Sequence, residues 1–372
     1  MLRRNRNKPN EDFKLTKNSL INSKEDGRKS NQFAKLHVLL PFLAMLLLIL
    51  VIVVRISEET NNTIKSSKLR EDIQNLRKPI PAKKDEIDLL HDDDGSLLHV
   101  IFSTDCSPYQ EWQSYLLFYS ALKAKQPGYI TRIASGCSGP EALQTANWHK
   151  EVISDQMSDR FRLHLTPHFS SITASDGKTV DYKFFNKPFG LLHWMQYGEG
   201  MGIDEAKNTP QDENAIIILL DPDHLIVRPI TSNFADTTKS ITKEKDLINF
   251  PLKVSHGHPI AQKYGLGAGW KKFDLVNITG SNDSPALKVS NSDANKHYPA
   301  GPPYLATAKD MYQIALKWTE FAPKVHAQYP YLLAEMYAFC VAVSHPHVIS
   351  PFTICLQHIF FSSSNAKMPI SF

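Results

Sequence analysis

The sequence predicts an α/β domain with a mostly parallel sheet flanked by helices, placed behind one N-terminal transmembrane helix. From about residue 97 onwards, short apolar runs rich in β-branched residues alternate with longer stretches of helical periodicity. Ahead of them, nineteen consecutive residues contain no Asp, Glu, Lys or Arg, and the segment between is charged and poor in aromatic residues. We therefore divide the chain into a tail (1–35), an anchor helix (36–54), a stem (55–96) and a folded domain (97–372).

The apolar run at 36–54 predicts an uncleaved signal anchor. As a helix with a rise of ~1.5 Å per residue it extends over roughly 28 Å, about the thickness of a hydrocarbon core. Arg55 follows directly, without the small-residue pattern that ends a cleaved signal peptide, which is the alternative. The tail contains ten Lys or Arg against four Asp or Glu, so we expect it in the cytoplasm. This orientation predicts a single-pass type II protein of the Golgi or endoplasmic reticulum membrane, with a lumenal domain.

The basic character of the chain comes from the tail alone. The formal net charge is +4, and the tail contributes +6, which leaves −2 for all the residues after it. A domain without an excess of positive charge does not show the electrostatic signature of nucleic-acid binding. We therefore expect no nucleic-acid partner.

The cysteines and the N-glycosylation tripeptides all follow the predicted anchor, which agrees with a lumenal position for the residues after it. All four cysteines follow the anchor, and none forms a C-x-x-C motif, so neither a zinc site nor a redox motif is predicted. Cys106 and Cys137 each follow a predicted strand, and we expect them to form a disulfide, with buried free thiols as the alternative. Tripeptides suited to N-glycosylation begin at Asn61, Asn277 and Asn282, the last weakened by Pro285.

The strands and helices of the folded domain follow from apolar runs and periodicity. Apolar, β-prone runs predict strands at 97–104, 129–135, 161–166 and 215–220. Helical periodicity predicts helices at 109–125, 187–198 and 332–343, a short helix near 65–76 in the stem, and one through Met311, Ile314, Ala315, Trp318 and Phe321. Ligands bind at the carboxyl ends of the strands in such sheets, where Asp105 and Asp221 both lie.

The tetrapeptide Asp221-Pro222-Asp223-His224 places two acids one residue apart at the end of a predicted buried strand. In one interpretation they bind a divalent cation that bridges the phosphates of a sugar nucleotide, for which hard oxygen ligands suit Mg²⁺ or Mn²⁺. In a second, Asp221 is the nucleophile of a phosphatase, although Leu225 stands where that pattern has Thr or Val. In a third, the acids cap the backbone N–H groups of a turn. A lumenal α/β domain on a stem favours the first.

Six segments of the folded domain carry a family resemblance, and they occur in the order 99–137, 185–195, 217–230, 257–270, 301–323 and 329–345. Together they resemble the peptidyl serine α-galactosyltransferases and the related hydroxyproline O-arabinosyltransferases of plants and algae, over about His99 to Ser350. The resemblance implies a GT-A-like, Rossmann-like fold, a UDP-sugar donor, Mn²⁺ (or Mg²⁺), and a secreted, extensin-like acceptor rich in hydroxyproline and serine. "QPGYITRIASGC" and "LLAEMYA" favour the serine branch, and hence galactose as the sugar.

The resemblance also implies roles for residues that bind the donor and the metal. Asp221 and Asp223 would hold the metal, with Asp223 the more direct ligand. Asp105 would contact the uridine or the ribose. Arg132 and Lys187 would contact the diphosphate, since cations stabilise a charged leaving group. For these last three, a solvated surface charge is the alternative.

Further residues are candidates with an open structural alternative. His345 or His347 would complete the metal shell, although a lone histidine is often structural. Glu335 is the candidate catalytic residue, an acid in an apolar helix that contacts acceptor or sugar hydroxyls or else pairs with a buried Arg. Trp194, Trp270 and Trp318 are candidates for stacking on a sugar. For Trp194 and Trp318, a place in the aromatic core is the better prediction.

The chemistry and the C-terminus leave two alternatives to a serine α-galactosyltransferase. An α-linked product from UDP-galactose requires retention, which in this fold needs no obvious general base because the leaving phosphate can accept the acceptor's proton. After Ser350 the sequence departs from the Gly- and Trp-rich acidic segment that is usual in the family. The alternatives are a hydroxyproline O-arabinosyltransferase and a non-catalytic lumenal binding protein that retains the fold.

Overall fold

The computed structural model describes Arg55 and residues 89–173, 179–234, 253–345 and 360–362, the last by their backbone only. By its internal contacts the chain divides after Lys65 into two units, and every described residue except Arg55 lies in the second. The predicted tail, anchor helix, stem helix and most of the stem lie outside the described residues, as do Asn61, His347 and Cys355. Among the residues described, no helix is both long enough and apolar enough to cross a membrane.

Strands and helices alternate through the first half of the domain, as predicted. The strands are β1 (Leu98–Thr104), β2 (Tyr129–Ser135), β3 (Phe161–Thr166), β4 (Ser171–Thr173), β5 (Thr179–Asp181), β6 (Ile203–Asp204), β7 (Thr209–Pro210), β8 (Ile216–Leu220), β9 (His224–Ile226), β10 (Ile260–Lys263), β11 (Ala300–Thr307) and β12 (Phe360–Ser362). The α-helices are α1 (Pro108–Ala124), α2 (Gly139–Trp148), α3 (Asn186–Tyr197), α4 (Leu275–Thr279), α5 (Pro285–Lys288), α6 (Asn291–His297), α7 (Ala308–Gln328) and α8 (Ala334–Val343). The four predicted strands and the four helices predicted in the domain are confirmed, and where the bounds of an element were predicted they differ from the observed ones by at most two residues.

A six-stranded sheet in the order β10-β11-β8-β1-β2-β3 forms the centre of the domain. The strands β8, β1, β2 and β3 are parallel, whereas β11 runs antiparallel to β8 and β10 antiparallel to β11. The predicted mostly parallel sheet is therefore confirmed. Since β1 and β8 are parallel neighbours, their carboxyl ends lie side by side, and the segments that follow them meet at one edge of the sheet.

Both faces of the sheet are covered, which explains why its central strands are apolar throughout. Along β8, Ile217 and Leu219 point into one hydrophobic cluster, together with residues of α3, α7 and α8. Their neighbours along the strand point into a second cluster, where Leu117 and Phe118 of α1 pack. A strand buried on both faces has no solvent side for polar residues, so the run at 216–220 lacks the alternation typical of a half-buried strand.

The strand β11 was not predicted, because its sequence contains Pro302 and Pro303. A proline cannot donate to the ladder and normally argues against an interior strand. Here β11 pairs with β8 only from Tyr304 onwards, and its pairing with β10 shifts register between the residues opposite Tyr304 and Gly301. The two prolines therefore lie where the ladder is interrupted, and an interior strand tolerates them.

The folded domain begins earlier than the predicted boundary at residue 97. Leu90 is buried, and the Leu89 carbonyl accepts a 2.7 Å hydrogen bond from Gly128. The carboxylate of Asp92 is buried and accepts hydrogen bonds from the backbone N–H groups of Ser96 (2.9 Å) and Ser232 (2.8 Å). The acidic run resembled a solvated stem, but Asp92 is retained in the fold because backbone donors compensate its burial.

The predicted disulfide between Cys106 and Cys137 is confirmed. It joins the segment that follows β1 to the segment that follows β2, with the two Cα atoms 5.3 Å apart. Of the other cysteines, Cys340 is a buried free thiol. The disulfide thus connects two loops at the edge of the sheet where Asp105 and Asp221 lie.

Candidate active site

A tight turn at the carboxyl end of β8 carries the candidate metal ligands. The backbone N–H of His224 donates a 3.1 Å hydrogen bond to the carbonyl of Asp221, and Pro222 occupies the second turn position, where its fixed φ is favourable. Ligand atoms of Asp221, Asp223 and His224 all lie within 4.8 Å of one another. The turn of the third interpretation is present, yet within the described residues neither carboxylate accepts a hydrogen bond from a backbone N–H. The turn therefore presents two carboxylates and an imidazole in one small volume.

The ammonium of Lys187 lies between two carboxylates from different elements. Its Nζ is 2.7 Å from Oδ1 of Asp221 and 2.7 Å from Oε1 of Glu335, and the side chains are 10%, 25% and 3% exposed in that order. Burial alone would lower the pKa of Lys187, but the two carboxylates outweigh it and raise the pKa, so the lysine is charged. Burial raises the pKa of Glu335, against the attraction of Lys187. These three groups form a continuous charged network beneath the turn.

The position of α3 explains how Lys187 reaches the end of β8. Lys187 lies in the first turn of α3, where Pro188 is tolerated because the first N–H groups of a helix have no partner within it. Gly190 lets the helix approach the sheet closely, since a Cβ there would lie 3.1 Å from Cγ2 of Ile133. The start of the helix therefore lies close to the sheet, and the lysine is directed along its edge.

Glu335 is held by contacts to its backbone as well as by Lys187. The Tyr182 hydroxyl accepts a hydrogen bond from the Glu335 N–H (3.2 Å) and donates one to the carbonyl of Leu332 (2.8 Å). Nε1 of Trp318 donates to the Glu335 carbonyl at 2.7 Å. Glu335 lies in the first turn of α8, where the helix dipole favours a negative charge. Its second oxygen, Oε2, is buried without a hydrogen-bond partner among the described residues.

This set of residues fits a divalent cation. Three carboxylates, of Asp221, Asp223 and Glu335, stand against the single ammonium of Lys187, so the ionised group carries an excess of two negative charges. Burial lowers the pKa of His224 against the pull of Asp221 and Asp223, and the neutral imidazole is the form that binds metals. Carboxylate oxygens suit Mg²⁺ or Mn²⁺, and an imidazole nitrogen adds a preference for a transition metal.

Asp105 and Arg132 lie at the same edge of the sheet. Asp105 is exposed directly after β1, and its Oδ1 accepts a 2.9 Å hydrogen bond from the Ser107 N–H. The guanidinium of Arg132 is buried and donates to Oγ1 of Thr104 (2.9 Å) and to the carbonyl of Asp105 (3.1 Å). Burial lowers the pKa of Arg132 to about 10, which leaves it charged at neutral pH. Arg132 therefore fixes the backbone that presents Asp105, and contacts of either residue with a nucleotide stay predictions.

His224 contributes the imidazole that lies beside the two acids, and its sequence position alone did not mark it as a metal ligand. His345 follows α8, with its ring centroid 6.0 Å from that of Phe321, and it does not belong to the three-residue group. Ligation by His345 stays a prediction. The signal for His224 was its place directly after Asp223, one residue before an apolar pair that continues the strand pattern.

The three tryptophans considered for sugar stacking are core residues. Trp194, Trp270 and Trp318 are each fully buried. The core prediction holds for Trp194 and Trp318, and it extends to Trp270, whose ring has no face exposed to a ligand. The stacking alternative for Trp270 is therefore wrong.

Three solved glycosyltransferase structures overlap with part of this chain. No protein-family profile matches the chain. An apo bifunctional glycosyltransferase, WbbM, overlaps with a TM-score of 0.34 at 11% identity, covering 72% of this chain and 40% of its own. The glycosyltransferase GlyE of Streptococcus pneumoniae TIGR4 has a TM-score of 0.32 at 10% identity, covering 69% and 45%. The galactosyltransferase LgtC has 0.31 at 12% identity, covering 65% and 69%. Overlaps at this level carry neither fold nor activity over to this chain.

Two curated relatives share sequence similarity with this chain. A protein of Arabidopsis thaliana named peptidyl serine alpha-galactosyltransferase is 28% identical over 242 residues, which cover 63% of this chain and 25% of that protein. A protein of the same name from Chlamydomonas reinhardtii is 28% identical over 133 residues, which cover 36% of this chain and 14% of that protein. The chain thus spans a quarter or less of the length of the curated relatives it matches. The resemblance inferred from the six segments is confirmed, and the chain is similar in sequence to proteins named peptidyl serine alpha-galactosyltransferase.

Proposed function

We propose that the protein is a metal-dependent glycosyltransferase that moves galactose from UDP-galactose onto serine residues of secreted, hydroxyproline-rich proteins. The observation that carries this proposal is the Asp221-Pro222-Asp223-His224 turn, with its excess of negative charge, at the carboxyl end of a strand in a mostly parallel sheet. The names of the two relatives support galactose and serine. A GT-A-like organisation and a type II position in the Golgi or endoplasmic reticulum membrane belong to the same proposal.

The residues at the sheet edge divide into those that hold the cation and those that shape the site. Asp223, Asp221 and His224 would hold Mn²⁺, or Mg²⁺ in its place, and the bound cation would neutralise the diphosphate as it leaves. Arg132 adds a fixed positive charge beneath the edge and orients the Asp105 backbone. The donor diphosphate would thus lie between the acidic turn and the end of β1, with Asp105 toward the nucleoside.

No side chain is assigned as a general base. Glu335 was the catalytic candidate, but its carboxylate is 3% exposed and its Oε1 is paired with Lys187. A group that touches the substrate needs an accessible atom within hydrogen-bond reach of the reacting proton. We therefore propose that the leaving phosphate accepts the proton of the serine hydroxyl, while the site positions both substrates.

A transfer assay with two donors and two acceptors tests the proposal. Full-length protein in detergent is incubated with Mn²⁺ and either UDP-galactose or UDP-arabinofuranose, with a Ser-Hyp-Hyp peptide or its Ser→Ala variant as acceptor. We expect galactose on the serine peptide only. Arabinose on hydroxyproline would move the protein to the neighbouring branch, and UDP binding without transfer from either donor would indicate a binding protein.

A further inference from the structure

We infer that Glu335 compensates the buried charge of Lys187 beside Asp221 and thereby sets the net charge of the cation site. The inference rests on the proposed metal-dependent function, and it assigns the Lys187–Glu335 pair a role in the charge of the site and not in the ligation of the cation. Neither side chain belongs to the three-residue group that would hold the cation. They act on that group through Asp221, whose Oδ1 contacts Nζ of Lys187 at 2.7 Å.

The contact explains what the lysine does for the turn. Asp221 and Asp223 carry ligand oxygens close together, so the Lys187 ammonium lies beside a concentration of negative charge. The ammonium contacts Oδ1 of Asp221 and leaves the other oxygen of that carboxylate for a ligand. The ammonium also contacts Glu335 at 2.7 Å, so two of its three N–H donors already have partners within the protein.

A lysine beside a cation site creates a difficulty that Glu335 removes. With Asp221, Asp223 and Lys187 alone, the group would carry a single net negative charge, and the ammonium would repel an incoming cation. The carboxylate of Glu335 restores the excess of two negative charges, which a divalent cation neutralises. Oε2 of Glu335 has no hydrogen-bond partner among the described residues, so its charge is available to the local field.

A structural role alone would make a different prediction from charge compensation. If Glu335 served only to satisfy a buried ammonium, removing either partner would disturb the turn and weaken cation binding. If it sets the charge of the site, removing Glu335 weakens binding, whereas removing Lys187 does not. Removing both leaves the excess at two and returns binding toward that of the original protein.

The test measures Mn²⁺ binding directly, without a sugar nucleotide. Free Mn²⁺ is followed by electron paramagnetic resonance for the full-length protein and three variants: Glu335→Gln, Lys187→Met, and the two combined. Partners of a metal ligand typically contribute 10–100-fold to metal affinity, so we expect Glu335→Gln to raise the Kd for Mn²⁺ by about 10-fold or more. Lys187→Met should bind at least as tightly as the original protein, and the combined variant should recover most of the loss.

The outcomes separate this inference from the proposed function. If the unaltered protein does not bind Mn²⁺, the proposed metal site is wrong; if it binds and Glu335→Gln binds equally well, only the inference fails. Weak binding by the combined variant, or misfolding of all three by circular dichroism, would also overturn the inference in favour of a structural pair. If only Glu335→Gln misfolds, the Kd of Lys187→Met for Mn²⁺ decides: a Kd no higher than that of the original protein supports the inference, and a higher Kd contradicts it.

Glu320→Gln, which removes a carboxylate paired with Lys317 and Lys324, is the matched control and should not change the Kd for Mn²⁺.

Discussion

At the scale of single residues, burial separates acids that look alike in the sequence. Asp223 is exposed and, among the described residues, makes no ion pair, whereas Asp221 is half-buried and paired with Lys187. Glu335 is buried and held at both its side chain and its backbone. Asp223 can therefore be changed without loss of an internal contact, whereas a change of Asp221 or Glu335 would remove one.

Replacing Asp223 with Asn tests the metal site with the least structural disturbance. The change keeps the volume and removes one charge, so folding should survive, since neighbouring carboxylates repel in the absence of a cation. With Mn²⁺ present, UDP at 100 times the Kd of UDP should raise the free energy of unfolding of the original protein by about 2.7 kcal/mol and that of the variant by little. Transfer should fall by about 10²-fold or more, because charge neutralisation matters most as the phosphate leaves.

Melting curves with and without UDP and Mn²⁺, run beside the transfer assay, measure both effects. Asp155→Asn is the control, since it removes an exposed carboxylate from a surface ion pair with Lys150. Equal stabilisation and equal transfer in all three proteins would show that the turn holds no metal.

Two buried histidines predict a loss of stability in weak acid. Burial lowers the pKa of His99 to about 3, with Arg162 adding to the effect, and that of His149 to about 4. Both are neutral when folded, while the unfolded chain binds protons near pH 6.5, so stability is complete above that pH and falls as the pH drops toward 4. Between pH 7 and 5.5, each should lower the free energy of unfolding by about 1 kcal/mol.

Denaturant unfolding at the two pH values, compared with His99→Phe, checks this. Both ring nitrogens of His99 are buried without hydrogen-bond partners among the described residues, and the ring stacks on Tyr129. Phe should therefore keep the packing and remove the part of the pH dependence that His99 contributes, about 1 kcal/mol between pH 7 and 5.5. His91→Gln, at an exposed histidine, should leave the dependence unchanged; an unchanged dependence in His99→Phe would contradict the prediction.

At the scale of elements, the site depends on which strand ends lie together. The parallel register of β1 with β8 and with β2 brings Asp105, Asp221 and Arg132 to one edge of the sheet. The helices α3 and α8 then add Lys187 and Glu335 from one face. The Cys106–Cys137 disulfide closes the loops after β1 and β2 at this edge, so it constrains the backbone beside Asp105.

Removing the disulfide should destabilise the domain without removing an element. The bond closes a loop with a sequence separation of 31, for which the chain-entropy estimate gives about 3–4 kcal/mol. We expect Cys137→Ser to lower the free energy of unfolding by about this amount in denaturant titrations. Dithiothreitol should lower the stability of the original protein similarly and have little further effect on the variant. Equal stability of both proteins under oxidising conditions would contradict the prediction.

At the scale of the whole molecule, the orientation across a membrane is a prediction from the residues ahead of the domain. The tail carries the excess of Lys and Arg, and the apolar run at 36–54 separates it from the domain that holds the disulfide. A disulfide is stable in the lumen of the secretory pathway and uncommon in the cytosol. The confirmed Cys106–Cys137 bond therefore agrees with the proposed lumenal side for the domain.

Protease protection tests this orientation. Protease added to sealed microsomes should shorten the full-length protein by about four kilodaltons, the cytoplasmic tail, and leave the domain intact. Detergent should then expose the whole chain to digestion, as the control. Asn61→Gln should remove one glycan if the stem is lumenal. Digestion of the domain in sealed microsomes would rule out the type II assignment.

Features that depend on neighbouring residues could be predicted from the sequence alone. The strands and helices around the site followed from apolar periodicity, and the acidic turn after β8 followed from its two acids and its proline. The disulfide followed from two cysteines that each come after a predicted strand, although they lie 31 residues apart. The signals for the strands, the helices and the turn lie within a few residues of the features they predict, and for that reason they could be read without the fold.

Which charged side chains pair with each other depends on the tertiary fold. Lys187 and Glu335 are 148 residues apart, and neither position carries a local signal for the other. The sequence predicts a diphosphate contact for Lys187 and a substrate or a buried Arg for Glu335, because an ammonium or a carboxylate suits any opposite charge. They pair because α3 and α8 pack against the same face of the sheet and bring the two side chains together. Both groups are buried there, so water cannot replace either partner.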